Sequence, residues 1–174
     1  MIDDTHETRL AVELFRLGAR LQVTRAETAL PRERLIRLYK ESHGESPPKG
    51  RLPASTDWYV TWLPNIHASL YYALYEFAAQ QSGVSRITAT MTAYRLYLEH
   101  LSNQAAPVLS FTRAWMLVNF VEQGVLHRVT CAQCHGRFVA RAHAFDRNYV
   151  CGLCRPPARA GKTGRAATSA GHRA

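Results

Sequence analysis

All four cysteines of this 174-residue chain stand in two pairs, Cys131-Ala132-Gln133-Cys134 and, after sixteen intervening residues, Cys151-Gly152-Leu153-Cys154. A Cys-x2-Cys turn aims two sulfurs at one point, and two such turns supply four soft thiolates at a spacing that suits a closed tetrahedral zinc site. Four protein ligands leave no position for a substrate, so the implied chemistry is structural. The expectation is one structural Zn²⁺ per chain on Cys131, Cys134, Cys151 and Cys154. Iron, which can use the same four thiolates, stays open as the alternative metal. The start, Met1-Ile2-Asp3-Asp4-Thr5-His6-Glu7, has no basic stretch followed by an apolar run, so reduced thiols and a cytoplasmic chain are expected rather than disulfides. A thioredoxin-like redox pair would need a βαβ setting, which residues 125–155 do not suggest. His127, His135 and His143 lie near the pairs but read as bystanders, because four cysteines already complete the site.

Charge separates the chain into two unequal parts. Residues 1–124 carry 13 Lys or Arg against 12 Asp or Glu, whereas residues 125–174 carry nine against one, Asp146. Most of the net charge of +9 therefore sits on the cysteine segment and the tail behind it. Such an asymmetry is the footprint of a surface that meets phosphates. Arg128, Arg137, Arg141 and Arg147 are the phosphate-contact candidates, since a metal-stapled loop would hold them in fixed positions. Arg159, Lys162, Arg165 and Arg173 lie in an Ala/Gly/Pro/Thr-rich tail with no apolar periodicity and are expected to be solvating and disordered. No apolar run approaches the roughly 18 residues of a membrane helix.

The elements that must position these residues are helical. Leu10, Leu14, Leu17 and Leu21 recur at helical spacing opposite Glu13, Arg16 and Arg20. After a short segment, Thr24 to Ala29, a second strong helix is predicted from Arg32 to Glu41, with Pro31 well placed at its start. Leu35, Leu38 and Tyr39 form its buried stripe. This arrangement resembles a helix-turn-helix, which makes Arg32, Arg34 and Arg37 candidates for DNA contact, although Ala29, Arg25 and Pro31 depart from the usual pattern. Ser46-Pro47-Pro48-Lys49-Gly50-Arg51-Leu52-Pro53 reads as a connection. From Leu52 to Ser85 there is no Lys or Arg and many aromatics. That composition marks core or partner surface, with Trp58, Tyr59, Trp62, Tyr71 and Tyr75 as partner-interface candidates. Trp58 to Ile66 looks irregular around Pro64, and His67 to Gln81 is predicted helical with Leu70, Leu74 and Phe77 inward. Helices over Ile87–Leu101 and Phe111–Gln123 follow, the latter capped by Ser110 and stopped by Gly124. Gly136 and Gly152 are read as permitting the tight turns of the cysteine knuckles, and residues 137–141 as a short strand.

The expected fold is therefore mainly α: a helical body of about five helices, helix-turn-helix-like at its N-terminal end, followed by a small four-cysteine zinc-ribbon-like module. The expected divisions are residues 1–45, 46–125, 126–156 and a basic tail over 157–174. No Gly-rich phosphate loop, nucleophile elbow or open metal site is present, and Asp57 and Glu76 read as structural acids, so an enzyme is not expected. A zinc-ribbon RNA-binding or ribosome-associated protein is the alternative to a DNA-binding one.

Several longer stretches carry a family resemblance, from about residue 7 to about residue 156. They are Leu17-Gly18-Ala19-Arg20-Leu21-Gln22-Val23, the run from Arg32 to Glu41, Ser46-Pro47-Pro48-Lys49-Gly50, Ser55-Thr56-Asp57-Trp58, Thr61-Trp62-Leu63-Pro64-Asn65-Ile66-His67 and the two cysteine pairs. Together they resemble the FlhC family, a subunit of the bacterial flagellar master transcriptional activator. The resemblance implies a DNA-binding activator that acts in a hetero-hexamer of two FlhC-like and four FlhD subunits and recruits RNA polymerase to the promoters of flagellar operons. It also implies that the four cysteines occupy the family's metal positions.

Overall fold

The computed structural model describes residues 4–101, 106–142, 148–158 and 160. Helix α1 (Asp4–Arg16) has acids in its first turn and Arg16 in its last, the polarity its dipole favours. The chain then turns at Gly18, whose φ of +87° is a conformation that glycine adopts without strain. Leu21 consequently does not extend the first leucine stripe: it opens a separate helix, α2 (Leu21–Glu27). Helix α3 (Arg32–His43) begins directly after Pro31 and stops at Gly44 in the left-handed region. A short 3-10 helix (Asp57–Val60) leads into α4 (Trp62–Ala79), followed by α5 (Arg86–His100) and α6 (Phe111–Glu122). Ser85 and Ser110 cap the last two by accepting the amides of Thr88 and Arg113. Strands β1 (Leu126–Thr130) and β2 (Arg137–Arg141) pair antiparallel, with Arg128 opposite Val139.

Helix α4 starts earlier than its composition suggests. Pro64 falls in the first turn, where no intrahelical amide bond is required, so Trp62 to Ile66 is helical rather than irregular. The inward face differs in part from the expected one: Leu70 and Leu74 pack half-buried against the core, but Phe77 does not. Ala68, Tyr71, Tyr72, Tyr75 and Ala78 are buried at helical spacing, while Phe77 is 61% exposed. The tyrosine stripe packs on α5, where Ala89 and Ala93 leave room for the rings. Tyr71 meets Tyr94 and Tyr97 edge-on at 6.4 Å, and Tyr94 meets Phe111 at 5.2 Å. Two of the buried hydroxyls meet backbone carbonyls: Tyr94 donates to that of Leu109 at 3.0 Å, and Tyr59 donates to that of Arg113 at 2.8 Å. The Leu109 amide donates to the Tyr97 hydroxyl at 3.2 Å, and the same hydroxyl shares a hydrogen bond with His67 Nδ1 at 2.8 Å. Burial lowers the pKa of His67.

Two helical cores share α1. Leu14 faces the large core of α4, α5 and α6, while Ala11 and Phe15 face a smaller one with Leu30, Leu35 and Tyr39 that carries α3. Leu126 and Val139 belong to the large core, so both strands are rooted in the helical body. Among the described residues, no helix is long and apolar enough to cross a membrane.

The burial of Tyr71 and the exposure of Phe77 set a clear expectation. Tyr71→Ala should cost about 3–5 kcal/mol in urea unfolding, as for other large core rings, whereas Phe77→Ser should stay within about 0.5 kcal/mol. Equal costs would contradict the assignment of faces.

Candidate metal centre and basic surface

The four cysteine sulfurs all lie within 4.8 Å of one another. Cys131 and Cys154 sulfurs are 3.9 Å apart, and those of Cys134 and Cys151 are 3.7 Å apart. A tetrahedron with Zn–S bonds of about 2.3 Å has sulfur–sulfur edges of about 3.8 Å, so the arrangement fits a four-coordinate ion. Backbone amides point at the sulfurs: those of Gln133 and Cys151 approach Cys131 Sγ at 3.4 and 3.3 Å, and that of Cys154 approaches Cys151 Sγ at 3.4 Å. Backbone amides, that of Cys134 foremost, hold the Cys131 thiol down to about 6. Its neighbour Cys151, through a shared hydrogen bond, pushes Cys154 up to about 12. Crowded sulfurs cannot all ionise together without a cation between them, so the four are positioned as ligands that a metal ion would bring to the thiolate form.

The turns that shape the site work differently from the expected glycine mechanism. His135, not Gly136, takes the positive φ of the first knuckle, at 60°. Gly136 is instead required by close approach: a Cβ there would lie 3.0 Å from the Phe138 ring and 3.4 Å from Cys134 Sγ. Gly152 is tighter still, since its Cβ would fall 2.7 Å from the Trp62 ring. The first knuckle closes through Cys131 N–H to Gly136 O at 2.9 Å, and the Ala132 amide reaches Tyr149 O at 2.8 Å to join the two knuckles.

Helix α4 fixes this module to the body. Trp62 Nε1 donates to Gly152 O at 2.9 Å; one turn on, Asn65 Nδ2 donates to both Tyr59 O at 2.8 Å and Val139 O at 2.7 Å. Ser69 Oγ then accepts the Val139 amide at 2.9 Å. Asn65 and Ser69 are positioning residues whose role sequence reasoning missed. The strand they serve was legible, but Asn65 falls in the stretch read as irregular, and contacts made across 70 and 74 residues leave no local signal.

The candidate cations divide into free and engaged groups. Arg128 is not available to phosphate: its side chain is 8% exposed, is bonded to Glu76, and donates to Arg137 O at 3.1 Å. Burial draws its pKa below the ordinary arginine value, with Glu76 acting against that shift. Arg137 stands 3.6 Å from the same carboxylate but remains half exposed, and Arg141 is bonded to Asp57. Asp57 and Glu76 are thus structural acids, each meeting a strand arginine. Arg147 lies outside the described residues, as do Arg159, Lys162, Arg165, Arg173 and His143. On α3, Arg34 turns back to Asp4 at 2.5 Å and to Thr8 at 2.9 Å, while Arg32 and Arg37 face solvent.

Three of the aromatic interface candidates are corrected. Tyr59 and Tyr71 are wholly buried and Tyr75 is 9% exposed, all within this chain's own core, so they offer no docking surface. Trp58 lies under the Arg113 guanidinium at 4.1 Å, and Trp62 is taken up by Gly152. Among the described residues, the exposed large apolar side chains are Val60, Leu63, Phe77, Val84, Val125 and Leu153.

Fold and site together define a mainly helical protein with four clustered cysteines, beyond its last described helix, positioned to hold a metal ion. The chain belongs to the FlhC family: the model described as "Flagellar transcriptional activator (FlhC)" matches residues 1–167, further at both ends than the motifs alone reach. Relatives carrying the name flagellar transcriptional regulator FlhC include one from Paraburkholderia atlantica, 54% identical over 165 residues that span 94% of this chain and 76% of the relative. One from Gallionella capsiferriformans strain ES-2 is 49% identical over 175 residues, 99% of this chain and 96% of the relative. A third, from Nitrosomonas eutropha, is 50% identical over 168 residues, covering 96% and 88%.

Metal removal follows from the site's construction. Apparent metal-binding free energies of about 10–16 kcal/mol in small structural zinc modules far exceed what three buried knuckle residues, Cys131, Phe138 and Cys151, supply by packing. Chelation of the purified chain should therefore raise amide exchange over 131–136 and 149–155 while the far-UV helix signal stays. Parallel loss of helix would contradict this partition.

Proposed function

We propose that this flagellar transcriptional regulator is a DNA-binding activator subunit that works with FlhD in a hetero-hexamer, binds promoters of flagellar operons and recruits RNA polymerase in the cytoplasm. The single observation that carries the DNA reading is α3. Its Arg32 and Arg37 are exposed, make no ion pair among the described residues, and follow a short helix and turn. In a helix-turn-helix arrangement the N-terminal part of such a helix meets the major groove, and exposed arginines there suit phosphate or guanine edges. Arg137, half exposed beside the metal module, and Arg147 are further candidate contacts in this reading.

Zn²⁺ is the proposed metal, one per chain, bound by Cys131, Cys134, Cys151 and Cys154, because a closed four-thiolate set suits a structural ion without redox chemistry. When bound, it would neutralise and cross-link the thiolates; it has no substrate position. FlhD would dock on the outer face of α4, where Leu63, Ala73 and Phe77 are exposed and Ile66, Leu70 and Leu74 are half buried at heptad-like spacing. Residues 1–45 would then serve DNA, 46–125 core and partner, and 126–156 the metal module.

The test is promoter-duplex binding by the purified chain with and without co-expressed FlhD, with metal analysis of both samples. One zinc per chain and sequence-selective binding that weakens steeply with salt in the co-complex are expected, as counterion release demands. A preference for single-stranded RNA over promoter duplex would overturn the reading in favour of an RNA-binding ribbon protein.

A further inference from the structure

The proline-rich segment after α3 reads from sequence as a connection, yet it forms a wall shared by two adjoining clefts. The first, about 420 Å³, runs between the helices α2 and α3 and the segment Ser46–Gly50, and its lining includes Arg32, Lys40 and Lys49. The second, about 390 Å³, continues past Pro48, which borders both, and its lining includes Arg20, Arg51 and Arg113. Six cations and no carboxylate line the two clefts. Among the described residues none of the six makes an ion pair, in contrast to Arg34, Arg86, Arg95, Arg128, Arg137 and Arg141.

This row of charge is built on a pinned backbone. Gln22 Nε2 donates to Gly50 O at 2.8 Å and Arg20 Nη1 donates to Arg51 O at 2.7 Å, so both carbonyls are held to the start of α2. Gly50 has a φ of +114°, and the two prolines before it restrict the approach. Arg113 is steadied by the Trp58 ring at 4.1 Å. Cations on a fixed framework with no counter-charge repel one another in the free chain and lose little freedom on binding, conditions that favour an extended polyanion. The track also borders Arg32, the exposed start of α3.

We propose that this track holds the phosphate backbone of duplex DNA alongside α3, a placement that rests on the DNA-binding reading above. It assigns phosphate contact to Arg20, Lys40, Lys49, Arg51 and Arg113 as well as to Arg32. The cysteine segment, despite its charge excess, is then not the main source of phosphate contacts.

The test uses the full chain co-expressed with FlhD, a promoter duplex and an unrelated duplex, over a series of salt concentrations. The variant Lys40→Gln/Lys49→Gln/Arg51→Gln removes three exposed cations. At about 0.9 per phosphate contact, it should flatten the slope of log K against log salt by about 2.7 for each FlhC-like subunit on the duplex, about 5.4 for the two of the hetero-hexamer, weaken both duplexes alike and leave the melting temperature unchanged. The charge-keeping variant Lys40→Arg/Lys49→Arg/Arg51→Lys should retain the wild-type slope, which separates lost charge from lost fold. A steep wild-type slope that the glutamine variant leaves intact would overturn the track while the DNA-binding reading stands. Absence of salt-dependent duplex binding by the wild type, or its replacement by RNA binding, would overturn both.

Discussion

The outer edge of strand β2 is the constraint on which the rest of the structure depends. A two-stranded sheet leaves the polar backbone of each strand unpaired on its far side, and burying such groups without partners is costly. Here Val139 sits 1% exposed, and its amide and carbonyl are taken by Ser69 and Asn65, two side chains four residues apart on α4. The same Asn65 amide holds Tyr59 O, so one buried group ties the 3-10 helix, α4 and β2 together. A sheet too small to stand alone thereby becomes part of the helical core.

From that anchoring the electrostatics follow. Docking β1 and β2 on α4 brings Arg128 and Arg137 to Glu76 and Arg141 to Asp57, so three of the four phosphate-contact candidates on the cysteine segment meet carboxylates of the body. Formal charge counted along the sequence therefore overstates the positive field around the metal module. Six cations without an ion pair among the described residues line instead the two clefts along the proline-rich segment and α3, which no carboxylate lines.

Much of the architecture was legible because it is written in local patterns. The cysteine pairs, the Ser110 cap, the Gly124 stop and the residues of β2 all depend on near neighbours, and each appears as read. What escaped depends on contacts distant in sequence. Phe77 and the tyrosines of α4 lie on different faces of the helix, and only packing against α5 decides which face turns inward. Likewise Gly152 matters because the Trp62 ring approaches it across 90 residues, a proximity that no turn propensity encodes. Arg128 read as a phosphate contact because its partner Glu76 stands 52 residues earlier on another element.

The most direct measurement of the central claim is hydrogen exchange and urea unfolding of Asn65→Ala beside the wild type, both metal-loaded. The buried Val139 carbonyl would lose its donor, at a cost of about 1–3 kcal/mol. Exchange should rise across 137–141 while the amides of α5 and α6 keep their protection. Stability within about 0.5 kcal/mol of the wild type, the scatter of an ordinary surface change, with unaltered exchange over 137–141 would mean that the strands hold to the body without α4's side chains, and would contradict the account.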